Sequence, residues 1–148
     1  MRSAVFHGAG KPLVIETRPV PVPGFLQALI RVERCGICSS DLHVTSGGPL
    51  DVAPGTALGH EYSGEVVDLG TAVRNLRAGD RVTAVPMKSC GACPACLADR
   101  PLHCPSFQSM QGGYGEFVLV DARMAVRLPD GMDHDAGALV EPHRWCDG

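Results

Sequence analysis

The sequence predicts a mainly β, barrel-like domain with few short helices and one cysteine-rich excursion at residues 88–105. Three features indicate this class. The 18 glycines and 12 prolines are scattered through the 148 residues, which leaves little room for long helices. Most segments between them alternate apolar and polar residues, as half-buried strands do. Four of the seven cysteines fall between Cys90 and Cys104, and such crowding predicts a loop organised by a metal ion.

The strands are predicted in chain order from this alternation. An N-terminal hairpin turns around residues 8–12, with Lys11 and Pro12 near its tip. Three longer strands follow, and a further strand pair precedes the turn at residues 129–131. The predicted strands are residues 3–6, 13–16, 25–33, 61–69, 81–85, 116–120 and 124–128.

Only two segments have helical character. Residues 39–43 predict a short helix that begins with a hydroxyl cap. Residues 133–140 begin with acidic residues and continue with small apolar ones, a pattern typical of a helix N-terminus. Because both segments are short, the domain is expected to remain mainly β.

Length, charge and hydropathy exclude several functional classes. A chain of 148 residues that is 45% apolar and 20% charged has the composition of one globular domain. Its net charge of -3, without a run of Lys or Arg, argues against a nucleic-acid partner. The sequence has no apolar run long enough to cross a bilayer and no signal-peptide pattern at residues 1–10. We therefore expect no membrane association and a cytoplasmic location.

A cluster of four cysteines predicts a structural metal site. The spacing is C-x2-C-x2-C-x7-C, and closed zinc sites use four such ligands in a tetrahedron. Because four thiolates leave no open coordination position, this zinc is expected to be structural. An iron–sulfur cluster and four cysteines without metal are the alternatives, while the acidic charge disfavours a zinc-ribbon nucleic-acid binder. The cysteines are Cys90, Cys93, Cys96 and Cys104.

A second group of potential ligands lies outside this cluster. Cys38 is followed further along the chain by His60 and Glu61, and catalytic zinc is held by three protein ligands and a water. Taken singly, the three have ordinary interpretations as a buried cysteine, a hydrogen-bonded core histidine and a solvated carboxylate. Cys35 and Cys38 also form a C-x-x-C pair, so a redox disulfide is an alternative to a neighbouring thiol.

Several motifs, in order along the chain, resemble those of the zinc-dependent medium-chain alcohol dehydrogenases. The most specific is Gly-His-Glu-x-x-Gly at residues 59–64, ahead of the four-cysteine segment. The absence of a long insertion before that segment, with Ala-Leu-Val-Glu-Pro at residues 138–142, is more similar to the polyol and threonine dehydrogenase branch. The other matching segments are GICSSDLH at 36–43, PGTAL at 54–58 and GDRV at 79–82.

This resemblance implies a fold and a division of the chain. It implies a GroES-like β-barrel catalytic domain over residues 1–142, with a structural zinc lobe at residues 88–105 and a divergent tail at residues 143–148. The family's Rossmann domain, with its G-x-G-x-x-G turn, has no counterpart in the 148 residues. Gly-Gly-Tyr-Gly at 112–115 precedes a predicted strand, which favours a turn. A dehydrogenase truncated by a frameshift or early stop is therefore expected.

The resemblance also implies roles for single residues. Cys38 and His60 match the catalytic zinc ligands. Glu61, which is also expected to be catalytic, matches a carboxylate that lies beside or on the metal, and Glu141 matches one that reaches the metal directly or through its water. Asp41 matches the residue that orients the ligand imidazole. The implied ligand set therefore combines a thiolate, an imidazole and one or two carboxylates.

A proton relay is implied by two further matches. Ser40 matches the hydroxyl that takes the proton of the substrate alcohol, with a helix N-cap as its alternative role. His43 matches the outer end of the relay. The implied reaction is oxidation of a primary or secondary alcohol or polyol, by hydride transfer to NAD or NADP, with one catalytic and one structural zinc.

The expected partners follow from the same resemblance. The substrate is a small alcohol or polyol, and no nucleic acid or membrane is involved. Because the family's nucleotide domain is not in the sequence, the chain is expected to be inactive alone. It is also expected to expose apolar surface that favours a homo-oligomer or a partner chain. The alternative function is a standalone zinc-stabilised β module that binds a partner without catalysis.

Overall fold

The computed structural model describes residues 1–143, so the tail predicted for residues 143–148 lies outside them from position 144 onward. An N-terminal hairpin joins β1 (Arg2–Val5) to β2 (Val14–Thr17), in antiparallel register from Arg2 opposite Thr17 to Val5 opposite Val14. The predicted hairpin is confirmed, with its strands displaced by one residue. Isolated bridges from Ser3 and Val5 attach this hairpin to the rest of the chain.

A five-stranded antiparallel sheet forms the centre of the domain. Its strands are β3 (Gln27–Cys35), β4 (Tyr62–Leu69), β5 (Arg81–Ala84), β8 (Phe117–Asp121) and β9 (Ala125–Arg127). Their spatial order is β8-β3-β4-β5-β9. The two longest, β3 and β4, pair with each other, and bulges after Leu29 and Val32 shift their register.

The two edge strands are joined by only three residues. The Met124 N–H donates to the Asp121 carbonyl at 2.8 Å, so residues 122–124 form a tight turn. β8 pairs with β3, whereas β9 pairs with β5. The prediction that residues 116–120 and 124–128 pair with each other is therefore wrong, because the turn redirects the chain to the other edge. The two edges of the sheet meet at this turn, as in a barrel.

The main core lies inside this sheet, and a second cluster of buried side chains lies beneath the first helix. Ile30, Val66 and Val82 are fully buried, and burial of such side chains contributes about 1.5–3 kcal/mol each. A smaller cluster of Phe6, Val44 and Leu58 packs α1 (Ser39–Ser46) against the segment that precedes β4. The core therefore fixes α1 beside residues 58–61.

The helices are short, as predicted, but α1 does not begin with a hydroxyl cap. Its N-cap is Cys38, whose N–H donates to Asp41 Oδ2 at 3.1 Å. That prediction is wrong because a carboxylate at the third helical position reaches back to the N-terminus, leaving Ser40 inside the first turn. The segment predicted at residues 133–140 forms α3 (His134–Ala138) and α4 (Val140–His143), with Asp133 accepting the Ala136 N–H at 2.8 Å.

The cysteine-rich excursion has its own small elements. It begins and ends at a two-stranded ribbon of β6 (Met87–Lys88) and β7 (Gln108–Ser109). Between these strands lie α2 (Pro94–Leu97) and a 3₁₀ helix at Pro101–His103. Sequence alternation missed all four elements, because each is too short to show a period.

Within residues 1–143, no helix has both the length and the apolar composition needed to cross a bilayer. Several large apolar side chains are nonetheless exposed. Examples are Val22, Phe25, Ile37 and Leu97. The expected exposure of apolar surface is thus present.

Candidate active site and metal centres

Four sulfurs meet in the excursion at residues 88–105. The Sγ atoms of the cluster all lie within 4.8 Å of one another, which is the separation expected of ligands around one ion. The first cysteine of the cluster, Cys90, is exposed, whereas the last, Cys104, is buried. The four-cysteine cluster consists of Cys90, Cys93, Cys96 and Cys104.

Backbone N–H groups point at these sulfurs. Cys90 Sγ accepts the N–H of Ala92 at 3.5 Å and that of Cys93 at 3.3 Å. Cys104 Sγ accepts the N–H groups of Cys90 and Ser106, both at 3.4 Å. The bonds from Ala92 and Cys93 lower the pKa of Cys90 to about 6, so its thiolate form prevails at neutral pH. Backbone N–H groups thus bind two of the four sulfurs, and Cys90 is the one whose negative charge they favour.

An arginine connects the four-cysteine cluster to the central sheet. The Arg123 guanidinium donates to the Ser89 carbonyl at 2.8 Å and to Asp121 Oδ1 at 2.9 Å. The hydrogen bond that Arg123 donates to Asp121 raises the pKa of Arg123, and the sulfurs of Cys90 and Cys96 act in the same direction. A permanent positive charge thus lies beside the thiolates and ties their loop to the turn after β8.

A second group of donors lies where α1 meets β4. The ligand atoms of Cys38, His60 and Glu61 lie within 4.8 Å of one another. Cys38 is the N-cap of α1, while His60 and Glu61 are buried and immediately precede β4. We call these three residues the mixed cluster, because they combine a thiol, an imidazole and a carboxylate.

The space for the Glu61 carboxylate depends on a glycine. A Cβ placed on Gly36 would lie 2.5 Å from Glu61 Oε2, a separation that real contacts do not reach. The Gly36 N–H also donates to the Glu61 carbonyl at 2.7 Å, which fixes the two chain segments together. The missing side chain at position 36 is therefore what allows this carboxylate to turn towards Cys38.

The two nitrogens of His60 face different groups. Nε2 lies 3.3 Å from Ser40 Oγ. Nδ1 is buried, forms no hydrogen bond within the described residues, and lies 3.8 Å from Asp41 Oδ1. A carboxylate on that side favours the proton on Nδ1, which leaves the Nε2 lone pair for a metal ion.

The neighbouring thiol of Cys35 has a different character. Burial, followed by the carboxylates of Asp41 and Glu61, raises the pKa of Cys35 to about 12. Its neutral thiol is a poor nucleophile, because thiol–disulfide chemistry proceeds through the thiolate. This environment favours the interpretation of Cys35 as a neighbouring thiol over a redox disulfide with Cys38.

A cavity of about 380 Å³ opens beside the mixed cluster. Ser40, Asp41, His60 and Glu141 line it, and Glu141 is only 5% exposed. His43 is exposed on α1 and is not among the lining residues. The structure therefore brings Ser40 and Glu141 to the cavity with His60 and leaves His43 outside. The apolar part of the wall is formed by Val44, Leu50, Val52, Leu58, Met87, Leu102 and Phe107.

Two of these wall residues come from the loop between β6 and β7 that contains the four cysteines. Leu102 lies in the 3₁₀ helix between Cys96 and Cys104, and the Phe107 N–H donates to the Cys104 carbonyl at 2.9 Å. Sequence reasoning missed both. The sequence does carry a signal for them. Both are large apolar side chains in a segment that is otherwise rich in turns, where the domain core does not need such side chains.

The residues present fit zinc at both clusters. One offers four sulfurs, two of which accept backbone N–H groups, the arrangement of a closed structural site. The other offers three mixed donors, among them a carboxylate whose space depends on Gly36 and a buried imidazole whose Nε2 faces Ser40. The mainly β domain thus carries one closed set of four sulfur donors and one mixed donor set that borders a cavity, an arrangement typical of zinc-binding domains.

Comparison with known proteins identifies the family. Residues 24–130 match the family model of the alcohol dehydrogenase GroES-like domain. The chain is 37% identical over 137 residues to L-galactonate-5-dehydrogenase of Escherichia coli K12, covering 89% of this chain and 40% of that protein. It is 34% identical over 150 residues to sorbitol dehydrogenase of Bacillus subtilis 168, covering 96% and 42% respectively.

A similar solved structure is a zinc-binding dehydrogenase from Sinorhizobium meliloti 1021 bound to NADP. It superposes with a TM-score of 0.87 at 36% identity, covering 98% of this chain and 43% of that one. The chain belongs to the GroES-like domain family of the medium-chain zinc alcohol dehydrogenases, in the branch that contains threonine, sorbitol and galactonate dehydrogenases. It spans about 40% of the length of the curated relatives it matches.

Proposed function

We propose that residues 1–142 act as the catalytic domain of a zinc-dependent, NAD(P)-linked alcohol or polyol dehydrogenase. The observation that carries this proposal is the position of the mixed cluster. Its three donors lie within 4.8 Å of one another, and His60 lines a cavity of about 380 Å³. A small polyol fits such a space, and catalytic zinc sites are open on one side in this way.

In this proposal the two clusters hold different ions. Cys38, His60 and Glu61 hold the catalytic zinc. Glu141 lines the same cavity and is the carboxylate expected to reach the ion or its water. The four-cysteine cluster holds a structural zinc. When bound, the catalytic ion supplies a positive charge that makes an alcohol hydroxyl more acidic.

Ser40 is the group that receives the substrate proton. Its Oγ lies 3.3 Å from His60 Nε2, so an alcohol hydroxyl beside the donor set also lies beside Ser40. Ser40 is within the first turn of α1, where its hydroxyl faces the cavity. His43 follows on the same helix and is exposed, which suits the outer end of a relay that passes the proton to solvent.

Asp41 positions His60. Oδ2 of this carboxylate accepts the Cys38 N–H, while Oδ1 lies 3.8 Å from His60 Nδ1. Residues that orient a ligand imidazole contribute about tenfold to a hundredfold to metal affinity. The hydride acceptor, NAD or NADP, supplies the oxidising power; the zinc-binding dehydrogenase of Sinorhizobium meliloti is bound to NADP, and this chain covers 43% of it.

The proposal is tested with the cobalt-substituted chain. Cobalt has a visible spectrum that reports its ligands, whereas zinc has none. Addition of butane-2,3-diol is expected to shift the absorption of the ion in the mixed cluster. The matched control is the Cys38→Ser variant, in which only the four-cysteine cluster retains cobalt and no shift is expected.

Two results would contradict the proposal. One is a wild-type chain that binds only one ion per molecule under saturating zinc. The other is a spectrum that the diol leaves unchanged when both clusters are loaded. Either result would favour the alternative function, a zinc-stabilised binding module without catalysis.

A further inference from the structure

The phenol of Tyr114 belongs to a hydrogen-bond network that reaches His60. Its hydroxyl donates to Asp41 Oδ2 at 2.8 Å, the shortest bond that this carboxylate forms within the described residues. Asp41 in turn faces His60 Nδ1. Burial, then the bond to Asp41, raises the pKa of Tyr114, so the phenol keeps its proton and acts as a donor.

The backbone holds Tyr114 firmly in this position. Its N–H donates to the Leu58 carbonyl at 2.9 Å, and its carbonyl accepts the Ala4 N–H at 2.9 Å. The ring lies directly over Gly59, since a Cβ at that position would come within 2.5 Å of it. Gly59 has a φ of 86°, a conformation that glycine adopts readily, and it immediately precedes His60. The ring therefore packs over Gly59, the residue before His60, while its hydroxyl binds Asp41, the carboxylate that faces His60.

The structure assigns Tyr114 the role of a positioning residue for the mixed cluster, acting on His60 through the Asp41 carboxylate. This inference rests on the proposed function, because it requires a metal ion at that cluster. Tyr114 lies in the turn at residues 112–115, for which the sequence alone predicts only a reversal of the chain.

The physical reason lies in how the carboxylate is shared. Oδ2 accepts two donors, the Tyr114 hydroxyl and the Cys38 N–H, which fix the plane of the carboxylate. Oδ1 is then directed to the His60 side, where the Gly59 N–H lies 3.4 Å away. Without the phenol, only the long amide contacts hold Asp41, so the carboxylate rotates more freely and orients the imidazole less well.

The test compares metal affinity in wild type and in Tyr114→Phe, which deletes one oxygen and leaves the ring over Gly59. Cobalt is titrated against a competing chelator. The spectrum of Cys38→Ser, which keeps only the four-cysteine cluster, separates the two ions. The expected result is about tenfold weaker binding at the mixed cluster, with a shifted visible spectrum, and unchanged binding at the four-cysteine cluster.

A matched control is Tyr62→Phe, which removes the other phenol hydroxyl among the two tyrosines of the chain. It should leave both affinities unchanged. The inference is overturned if Tyr114→Phe binds as wild type does, if both clusters weaken equally, or if Tyr62→Phe has the same effect. If the wild type holds no ion at the mixed cluster, the proposed function itself fails and the inference fails with it.

Discussion

The two groups of metal-ligating residues are built in opposite ways. The four-cysteine cluster takes four identical donors from one short segment, and its surroundings are backbone N–H groups, the Arg123 guanidinium and solvent. The mixed cluster takes three different donors from two segments that the core brings together, and buried side chains surround it. The first is a closed set, whereas the second borders a cavity.

This difference shows what each arrangement can do. Four sulfurs satisfy zinc completely, so the ion contributes its binding energy to the conformation of the loop. A mixed set with space beside it leaves a position for another molecule. The two clusters should therefore respond independently to mutation, and the following four predictions use one cluster as the reference for the other.

The largest expected effect is the loss of one ion. Cys90→Ser should remove the metal of the four-cysteine cluster and leave that of the mixed cluster, whereas Cys38→Ser should do the reverse. Elemental analysis should fall from two zinc ions per chain to one in each variant. Because structural zinc binding is worth about 10–16 kcal/mol, Cys90→Ser should also make residues 88–105 sensitive to proteolysis. Loss of both ions in either variant would contradict this independence.

Gly36→Ala should weaken the mixed cluster alone. The new Cβ would lie 2.5 Å from Glu61 Oε2 and must displace that carboxylate. We expect about tenfold to a hundredfold weaker metal binding there, the range seen when a ligand is misplaced or poorly oriented. Isothermal titration of the metal-free variant measures both affinities. An unchanged affinity at the mixed cluster would show that Glu61 is not a ligand.

The cysteines of the two regions should differ in reactivity once metal is removed. The pKa of Cys90 is lowered to about 6, while that of Cys35 is raised to about 12. At pH 7.5 iodoacetamide should therefore modify Cys90 more than about tenfold faster, since thiolate is the reactive form.

The sign of the pH dependence follows from the same two shifts. Cys90 is a thiolate above about pH 6 and should lose its reactivity as the pH falls through that value. Cys35 should stay unreactive throughout the range from pH 5 to pH 9. Mass spectrometry of peptides measures both. Faster modification of Cys35 than of Cys90 would contradict the assignment of environments.

The smallest effect is expected from Arg123→Gln. This change removes the positive charge that lies beside the sulfurs of Cys90 and Cys96. Because the guanidinium is partly exposed, we expect only about a twofold to fivefold loss of metal affinity at the four-cysteine cluster. The loss should shrink in high salt, since salt screens such interactions. A loss that is insensitive to salt would indicate a change in loop structure instead.

Much of the fold could be predicted from the sequence because strands leave a local signal. Alternation locates β4 within one residue, and the acidic start of residues 133–140 predicts a helix where α3 begins. Alternation does not specify which strand pairs with which, so the pairing of β8 and β9 was predicted wrongly. The predicted hydroxyl cap of α1 is wrong because the Asp41 carboxylate, at the third helical position, accepts the Cys38 N–H, and the sequence does not show which neighbouring polar group reaches the helix end.

The candidate site divides in the same way. The spacing of the cysteines between Cys90 and Cys104 is a local signal, and the structure brings their sulfurs together. Cys38, His60 and Glu61 are also brought together, but their roles as ligands stay a prediction, as does that of Ser40. The bond from Tyr114 to Asp41 joins residues 73 positions apart, and no sequence pattern records such a contact.

Leu102 and Phe107 link the four-cysteine cluster to the cavity. They lie in the loop between β6 and β7 that contains the four cysteines, yet they line the cavity beside the mixed cluster. Under the proposed function, a structural ion in that loop would fix part of the wall that contacts the substrate without touching the residues that carry out the reaction. Selectivity and chemistry would then depend on separate parts of the chain.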